Sequence, residues 1–413
     1  MSTPRRVVIT GAGHLTALGN TWPEVKTALS QGRSGVQAMP EWQSVENLAC
    51  HLGAPVAFTM PSHYTRRHQR SMGRTAKMAV LASEWALQDA NLLNDPLLTQ
   101  GRVGVAYGSA TGSPDALLEF VGTLSANDAS QLKATSYLRG MSHTAAVNVG
   151  VHFGLTGRVL TTSSACTAAS QAIGFAYETI RAGAQDIMLA GGADELTVAH
   201  SAVFDALLAT SQKNDNPQST PRPFDTDRDG LVLGEGASTL VIEDYDHARA
   251  RGARILGEIV GFATNSDGCH ITQPNTETQA RCLALALQSS GLDPADIGYI
   301  CAHGTATDQG DVSEVHATRE LFPDVPFSSL KGNFGHTLGA CGGIEAWAVL
   351  NMLQDDWYVP TLNLDQVDAD CDGVDHIVGQ GLELHTRYAM SNNFAFGGIN
   401  TSLIFASFHA DHK

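Results

Sequence analysis

Charge is scarce in this chain. Of its 413 residues, 16% are Asp, Glu, Lys or Arg, against about 25% in an average soluble protein. Positive charge is the scarcer sign: 25 Lys and Arg face 42 Asp and Glu, a net charge of -17. That deficit excludes a generic nucleic-acid binder, which needs basic surface to displace counterions from phosphates. Paired cysteines are also missing. Cys50, Cys166, Cys269, Cys282, Cys301, Cys341 and Cys371 include no C-x-x-C pair, so zinc-ribbon and thioredoxin-like motifs are excluded. An odd number of cysteines in a long chain argues against a secreted disulfide scaffold. No run approaches the roughly 18 apolar residues that span a bilayer. The first residues carry no apolar signal core ahead of a strand-like segment. These absences point to a soluble, cytoplasmic protein with neither a membrane nor a nucleic-acid partner.

Glycine is plentiful, at 41 residues, and 43% of the chain is hydrophobic. Low charge with many small residues predicts a closely packed interior and a large subunit interface. Strand-like runs alternate with helical patterns, the signature of a layered α/β fold. Residues 7–10 read as a strand ending in a tight turn at Gly11 and Gly13. The spacing of Met78, Leu81, Ala82, Trp85 and Ala86 predicts a helix over 75–90, and residues 103–107 a strand. The second half repeats the order, with a helix over 279–289 and a strand over 297–302. A segment opening a helix at Cys166 is matched by one at Cys341. We read an internal duplication: one half over 1–250 carrying Cys166 and one over 251–413, joined by a helical 246–252.

Two tempting motifs fail. A dinucleotide fingerprint needs a third glycine at position 16, which is Thr16. Asp225, Asp227 and Asp229 resemble the start of a calcium loop, but its twelfth position is Gly236; a polar turn before a strand at 231–233 is the better account.

Four glycine-rich segments hold reactive side chains. Cys166 follows a strand and opens a helix of small residues, where unpaired N–H groups and the helix dipole favour thiolate; a buried structural cysteine fits the same pattern. His303 ends a strand, with Thr305 and Thr307 behind it, suiting either a substrate-facing or a merely solvated loop. Lys331, His336 and Glu345 share one run, in which Lys331 and Glu345 can pair and present His336. In the run 392–400, Gly397 and Gly398 allow backbone N–H groups to face a developing oxyanion.

Together these segments resemble the β-ketoacyl-acyl carrier protein synthases, decarboxylating condensing enzymes of thiolase-like fold. The resemblance runs nearly end to end. It includes the opening Arg5-Arg-Val-Val-Ile-Thr-Gly-Ala-Gly, the segment around Asn214, Arg222, Asp225 and Gly234, His303-Gly-Thr-Ala-Thr, and Lys331 through His336. It is nearest the elongating, synthase II type. It implies two duplicated α/β halves in a five-layered α-β-α-β-α core. It implies a decarboxylative Claisen condensation of malonyl-carrier protein with an acyl group held on Cys166, in fatty-acid or specialised polyketide or polyene synthesis. His303 and His336 would bind the malonyl thioester carbonyl, and Lys331 and Glu345 would position them. Phe396 would supply an oxyanion N–H with Cys166 and act as a gate. Thr305 and Thr307 would hold the pantetheine arm, and Thr111 would line the acyl pocket. Arg66, Arg67, Arg70 and Lys213 would form a basic docking island for the acyl carrier protein. The family needs no metal and no cofactor beyond the carrier's phosphopantetheine, and it is dimeric, as a homodimer or as a heterodimer with a related subunit.

Ala395 stands where the family usually has glycine, Thr111 where isoleucine is common, and Lys331-Gly-Asn-Phe departs from the commoner run; all three suggest a specialised acyl chain. Two other classes resemble this one. A non-catalytic chain-length-factor subunit typically lacks the nucleophile, and a thiolase carries a second cysteine where this chain has none in 394–400.

Overall fold

The computed structural model describes residues 4–130 and 132–408. The chain forms eleven strands of one continuous sheet: β1 (Val7–Leu15), β2 (Val103–Gly108), β3 (Val159–Thr162), β4 (Ile187–Asp194), β5 (Gly236–Asp244), β6 (Gly257–Ser266), β7 (Ile297–Ala302), β8 (Pro326–Ser329), β9 (Asp375–His376), β10 (Tyr388–Ala395) and β11 (Ile399–Ala406). In the first half the helices are α1 (Trp22–Ser30), α2 (Arg66–Gln69), α3 (Arg74–Asp89), α4 (Pro114–Ala126), α5 (Ala134–Gly140), α6 (Thr144–Phe153), α7 (Ala168–Arg181), α8 (Val198–Ala206) and α9 (Tyr245–Ala250). Then follow α10 (Thr276–Ser290), α11 (Asp308–Arg319), α12 (Lys331–Phe334) and α13 (Cys341–Asp355). No helix among the described residues is long and apolar enough to cross a membrane.

The strand order makes the duplication visible. From one edge to the centre it runs β3-β2-β4-β5-β1, and from the other β9-β8-β7-β10-β11-β6. Setting β9 aside, the two series match strand for strand, including which pairs are parallel and which antiparallel. The halves meet where β1 pairs antiparallel with β6. α3 and α6 cover one outer face, α10 and α11 the other, and α7 packs against α13 between the two halves of the sheet. The result is the five-layered α-β-α-β-α arrangement.

Local sequence explains the elements. α1 opens on a capping box between Thr21 and Glu24. α10 is capped by Asn275 and ends at Gly291 in the left-handed region. The central helix α7 buries Ala168, Ala169, Ala172, Ala176 and Gly174. Small residues let it lie close to both halves; a Cβ on Gly174 would sit 2.1 Å from Phe262.

The structure corrects three local readings. Gly11 and Gly13 are not a turn: β1 runs through them to Leu15. They are glycine because α3 lies against the strand, where added Cβ atoms would meet Ala86 O at 2.5 Å and Ala82 O at 2.2 Å. Residues 231–233 form isolated bridges to Thr210 and His336, and β5 begins at Gly236. The two cysteines also do not correspond. In each half a 3-10 turn (Ala165–Thr167, Leu338–Ala340) precedes the central helix, which starts at Ala168 or Cys341. By position, Cys166 matches Gly339 and Cys341 matches Ala168.

Candidate active site

Cys166 sits in the turn between β3 and α7, 4% exposed. The turn is built tightly: Ala165 has φ 49°, Thr162 Oγ1 donates to Ala168 O at 2.6 Å and Thr167 Oγ1 to Ser164 O at 2.8 Å. The Cys166 sulfur lies 2.9 Å from His336 Nε2. The backbone N–H groups of Cys166 and Phe396 both favour the thiol's charged form.

His336 is fixed by its own backbone. Its N–H donates to Val232 O at 2.7 Å and its carbonyl accepts from Gly234 N–H at 2.9 Å. The ring's Nδ1 is buried and has no partner among the described residues. His303 leaves β7 with its N–H on Glu314 Oε1, and Gly304 N–H on Glu314 Oε2, both at 2.7 Å. The two imidazoles stand edge to face, 5.3 Å apart.

The tautomer of His303 follows from its neighbours. Asn393 Nδ2 donates to Glu345 Oε2 at 2.6 Å, and Asn393 Oδ1 accepts from Ser170 Oγ at 2.8 Å, so the amide orientation is set. The same Nδ2 lies 3.2 Å from His303 Nδ1, and Lys331 Nζ lies 3.5 Å from it. Facing donors, Nδ1 accepts, and in the neutral ring the proton is on Nε2.

Charge is set by burial. The Lys331 ammonium is buried and pairs with the Glu345 carboxylate, also donating to His303 O at 3.1 Å. Burial opposes the ammonium's charge, but Glu345 outweighs it and raises the Lys331 pKa. Burial, with Lys331 beside them, holds both histidines well below their ordinary pKa, so they are neutral imidazoles. Burial also pushes the Cys166 thiol up to about 12, against the pull of Lys331 and the two N–H groups. The balance therefore favours the thiol. The turn's donors do act on the sulfur, but desolvation of a fully buried group outweighs them.

Cys166, His303 and His336 line a cavity of about 350 Å³ with Thr305, Thr307 and Phe396. The two threonine hydroxyls are 3.0 Å apart. Phe396 stacks on Phe204, with centroids 5.7 Å apart at 25°. Thr111 is not on the lining of this cavity; its Oγ1 lies 2.9 Å from His200 Nε2. Arg66, Arg67 and Arg70 are exposed on α2 and its C-cap. Lys213 lies on another loop, where Nζ donates to Asp227 O at 2.5 Å and sits 3.7 Å from Asp229.

Residues that sequence reasoning missed hold this site together. Asn393 links both halves of the site, yet its run was read for its glycines. Glu314 and Asp311 accept from the backbone N–H groups of His303 through Ala306. Their signal is a pair of acids spaced i, i+3 on the helix after the strand. Asp194, buried, accepts from Ala110 and Gly339 N–H at 2.9 and 2.6 Å.

Comparison with known proteins follows this geometry. The model of the β-ketoacyl synthase N-terminal domain matches residues 4–248, and that of the C-terminal domain residues 256–365. A 3-oxoacyl-acyl-carrier-protein synthase 1 of Haemophilus influenzae is 34% identical over 409 residues, covering 98% of this chain and 100% of that one. The crystal structure of a β-ketoacyl synthase from Burkholderia phymatum STM815 superposes with a TM-score of 0.97 at 52% identity, covering 98% of this chain and 100% of that one. The ishigamide ketosynthase/chain length factor gives a TM-score of 0.90 at 29% identity, with the same coverage.

Proposed function

The chain belongs to the β-ketoacyl synthase family and is an acyltransferase of the β-ketoacyl-acyl carrier protein synthase class; from that premise we propose which of its residues carry the reaction. The observation that supports the assignment is the contact of Cys166 Sγ with His336 Nε2 at 2.9 Å, beside a His303 whose tautomer is set.

In the first half-reaction Cys166 Sγ attacks the acyl thioester of a carrier protein. A sulfur–carbon bond forms, the carbon–sulfur bond to pantetheine breaks, and the thiol proton ends on the leaving sulfur. The raised thiol pKa means that this proton must be taken up during attack rather than beforehand. In the second, malonyl-carrier protein enters. Its carboxylate leaves as CO₂, and the electron pair stays as an enolate whose oxygen is held by His303 Nε2–H and by His336. The enolate carbon attacks the acyl-cysteine carbonyl, and the N–H groups of Cys166 and Phe396 receive the oxyanion. Collapse releases the Cys166 thiolate, which takes one proton from water to restore the thiol. Loss of CO₂ drives the bond formation, so no cofactor enters a step. Lys331, Glu345 and Asn393 are positioning residues: they hold His303 neutral with its proton outward.

Thr305 and Thr307 receive the pantetheine arm, and Phe396, stacked on Phe204, is the gate over Cys166. Arg66, Arg67 and Arg70 dock the acidic carrier protein, with Lys213 contributing less because Asp229 sits beside it. The exposed Leu117, Leu118, Val121 and Leu124 of α4, and Val159 on the edge strand β3, form the face for a second subunit, either another copy or a related chain. The protein works in the cytoplasm. Ala395, Thr111 and the run after Lys331 suit an acyl chain other than the common saturated ones.

The test follows CO₂ release from malonyl-carrier protein and condensation with acyl-carrier protein. Wild type is expected to do both, and Cys166→Ala to lose condensation. Absence of decarboxylation by wild type, or undiminished condensation by Cys166→Ala, overturns the assignment.

A further inference from the structure

The cavity that holds Cys166 reaches solvent past apolar side chains. Leu207 and Leu208, which follow α8, and Ile271, in the loop after β6, all line it, and they are 44%, 89% and 74% exposed. Cys166 and His303 on the same lining are 4% and 7% exposed. The three apolar residues therefore mark the mouth and the reactive groups the floor.

Leu208 is unfavourable in two ways. α8 ends at Ala206, and Leu208 follows it with φ 55°. Its N–H donates to Asp205 O at 2.8 Å, and the next N–H, of Ala209, donates to Phe204 O at 3.0 Å. A helix closed in this way takes glycine or asparagine at the left-handed position, because any larger side chain sets its Cβ against the following carbonyl. The same backbone turns an apolar side chain out into water. A strained, exposed apolar residue beside a cavity is accounted for by what covers it.

The charges at the mouth bear on what that is. Asp229, Asp267 and Asp308 line the cavity, and among the described residues no lysine or arginine does. Lys213 stands 3.7 Å from Asp229, and its Nζ already donates to Asp227 O. The mouth therefore repels an acidic protein. Long-range attraction falls to the arginines of α2, and at the mouth the contact must be one that does not depend on charge.

We propose that Leu208, with Leu207 and Ile271, forms an apolar collar that docks the carrier protein through an apolar surface beside the attachment point of its pantetheine arm. The proposal rests on the reading of this cavity as the entry for that arm. A carrier whose arm reaches Cys166 must lie over the mouth, and the collar is what it then covers. A second copy of the chain seated there would instead close the entry.

Binding of a fluorescently labelled holo-acyl carrier protein to the full chain, read by anisotropy, tests the proposal. Leu208→Asn suits the left-handed backbone and removes the apolar contact. It is expected to weaken binding about tenfold, as loss of a covered leucine side chain does. The loss should be the same at low and high salt, whereas that of Arg66→Glu should fade as salt is added. The melting temperature of Leu208→Asn should equal or exceed that of wild type, because the strain is relieved. Adding Ile271→Asn should weaken binding further. No binding by wild type, undiminished binding by Leu208→Asn, a loss that salt removes, or a lowered melting temperature overturns the proposal. So does a smaller oligomer with carrier binding intact, which would assign the collar to a second copy. Binding is read without turnover, so absent CO₂ release would overturn the catalytic reading and leave this outcome standing.

Discussion

In the first half of the molecule the chain leaves β3, turns through Ala165 at φ 49° and enters α7 at Ala168; in the second it turns through Leu338 at φ 48° and enters α13 at Cys341. The backbone device is the same, and its use differs. The first turn presents Cys166 to the cavity. At the matching position the second turn has Gly339, whose N–H donates to Asp194 and whose added Cβ would lie 2.6 Å from that carboxylate. One copy of the turn presents a thiol to the cavity and the other is a structural tie. The halves divide the proposed chemistry accordingly: the first carries Cys166 and the exposed arginines of α2, the second carries His303, His336 and the Lys331–Glu345 pair.

The sharpest way to break this division is to remove each cysteine in turn. Cys166→Ala is expected to lower condensation by about 10³-fold or more, as loss of a covalent nucleophile does. Cys341→Ala should stay within about threefold, because among the described residues the hydrogen bonds of its sulfur go only to Cys166 O, at 3.2 Å, and Asn393, at 3.7 Å. Comparable losses from both would erase the distinction between the two turns.

A second test concerns the charge of the reactive turn. With the thiol pushed up to about 12, the thiolate fraction rises about tenfold per pH unit below that value. Alkylation of Cys166 by iodoacetamide, read on its own peptide by mass spectrometry, should therefore climb about 100-fold between pH 7 and pH 9. A plateau in that range would mean a resting thiolate.

Asn393 ties the two halves, through Ser170 on α7 and Glu345 on α13. Asn393→Ala leaves Glu345 Oε2 and His303 Nδ1 short of a donor. Decarboxylation of malonyl-carrier protein should slow about tenfold, while acyl transfer to Cys166 changes less. An equal effect on both steps would point to general destabilisation instead.

The smallest effect is expected at the docking surface. Arg66→Glu with Arg67→Glu should raise KM for carrier-linked substrate about fivefold at low salt, with kcat and the turnover of small thioester mimics unchanged. Lys213→Glu should do less, since Asp229 already neutralises part of its charge. A larger shift from Lys213→Glu than from the α2 pair would reverse the proposed order.

Much of the fold was legible from periodicity. The expected helix over 75–90 is α3, whose apolar residues recur at helical spacing, and the expected strand over 297–302 is β7, a short apolar run buried at five of its six positions. The site's cysteine and histidines stood out because reactive residues beside runs of glycine are unusual. Asn393, Glu314 and Asp311 did not stand out, since an amide and two acids have no signature until the backbone they hold is known. Gly11 and Gly13 were misread as a turn for the same reason: their purpose is the approach of α3, a contact with residues some 70 positions away.

The sequence by itself determined the class of the protein and the duplicated α/β order, and it named the side chains proposed to react, because these rest on local pattern and residue type. Only the tertiary structure decided that burial favours the Cys166 thiol, that His303 Nδ1 faces donors, and that Cys341 is not the counterpart of Cys166. Each of these depends on what lies within a few ångströms across the fold, where burial and hydrogen-bond partners from distant segments set charge, tautomer and register.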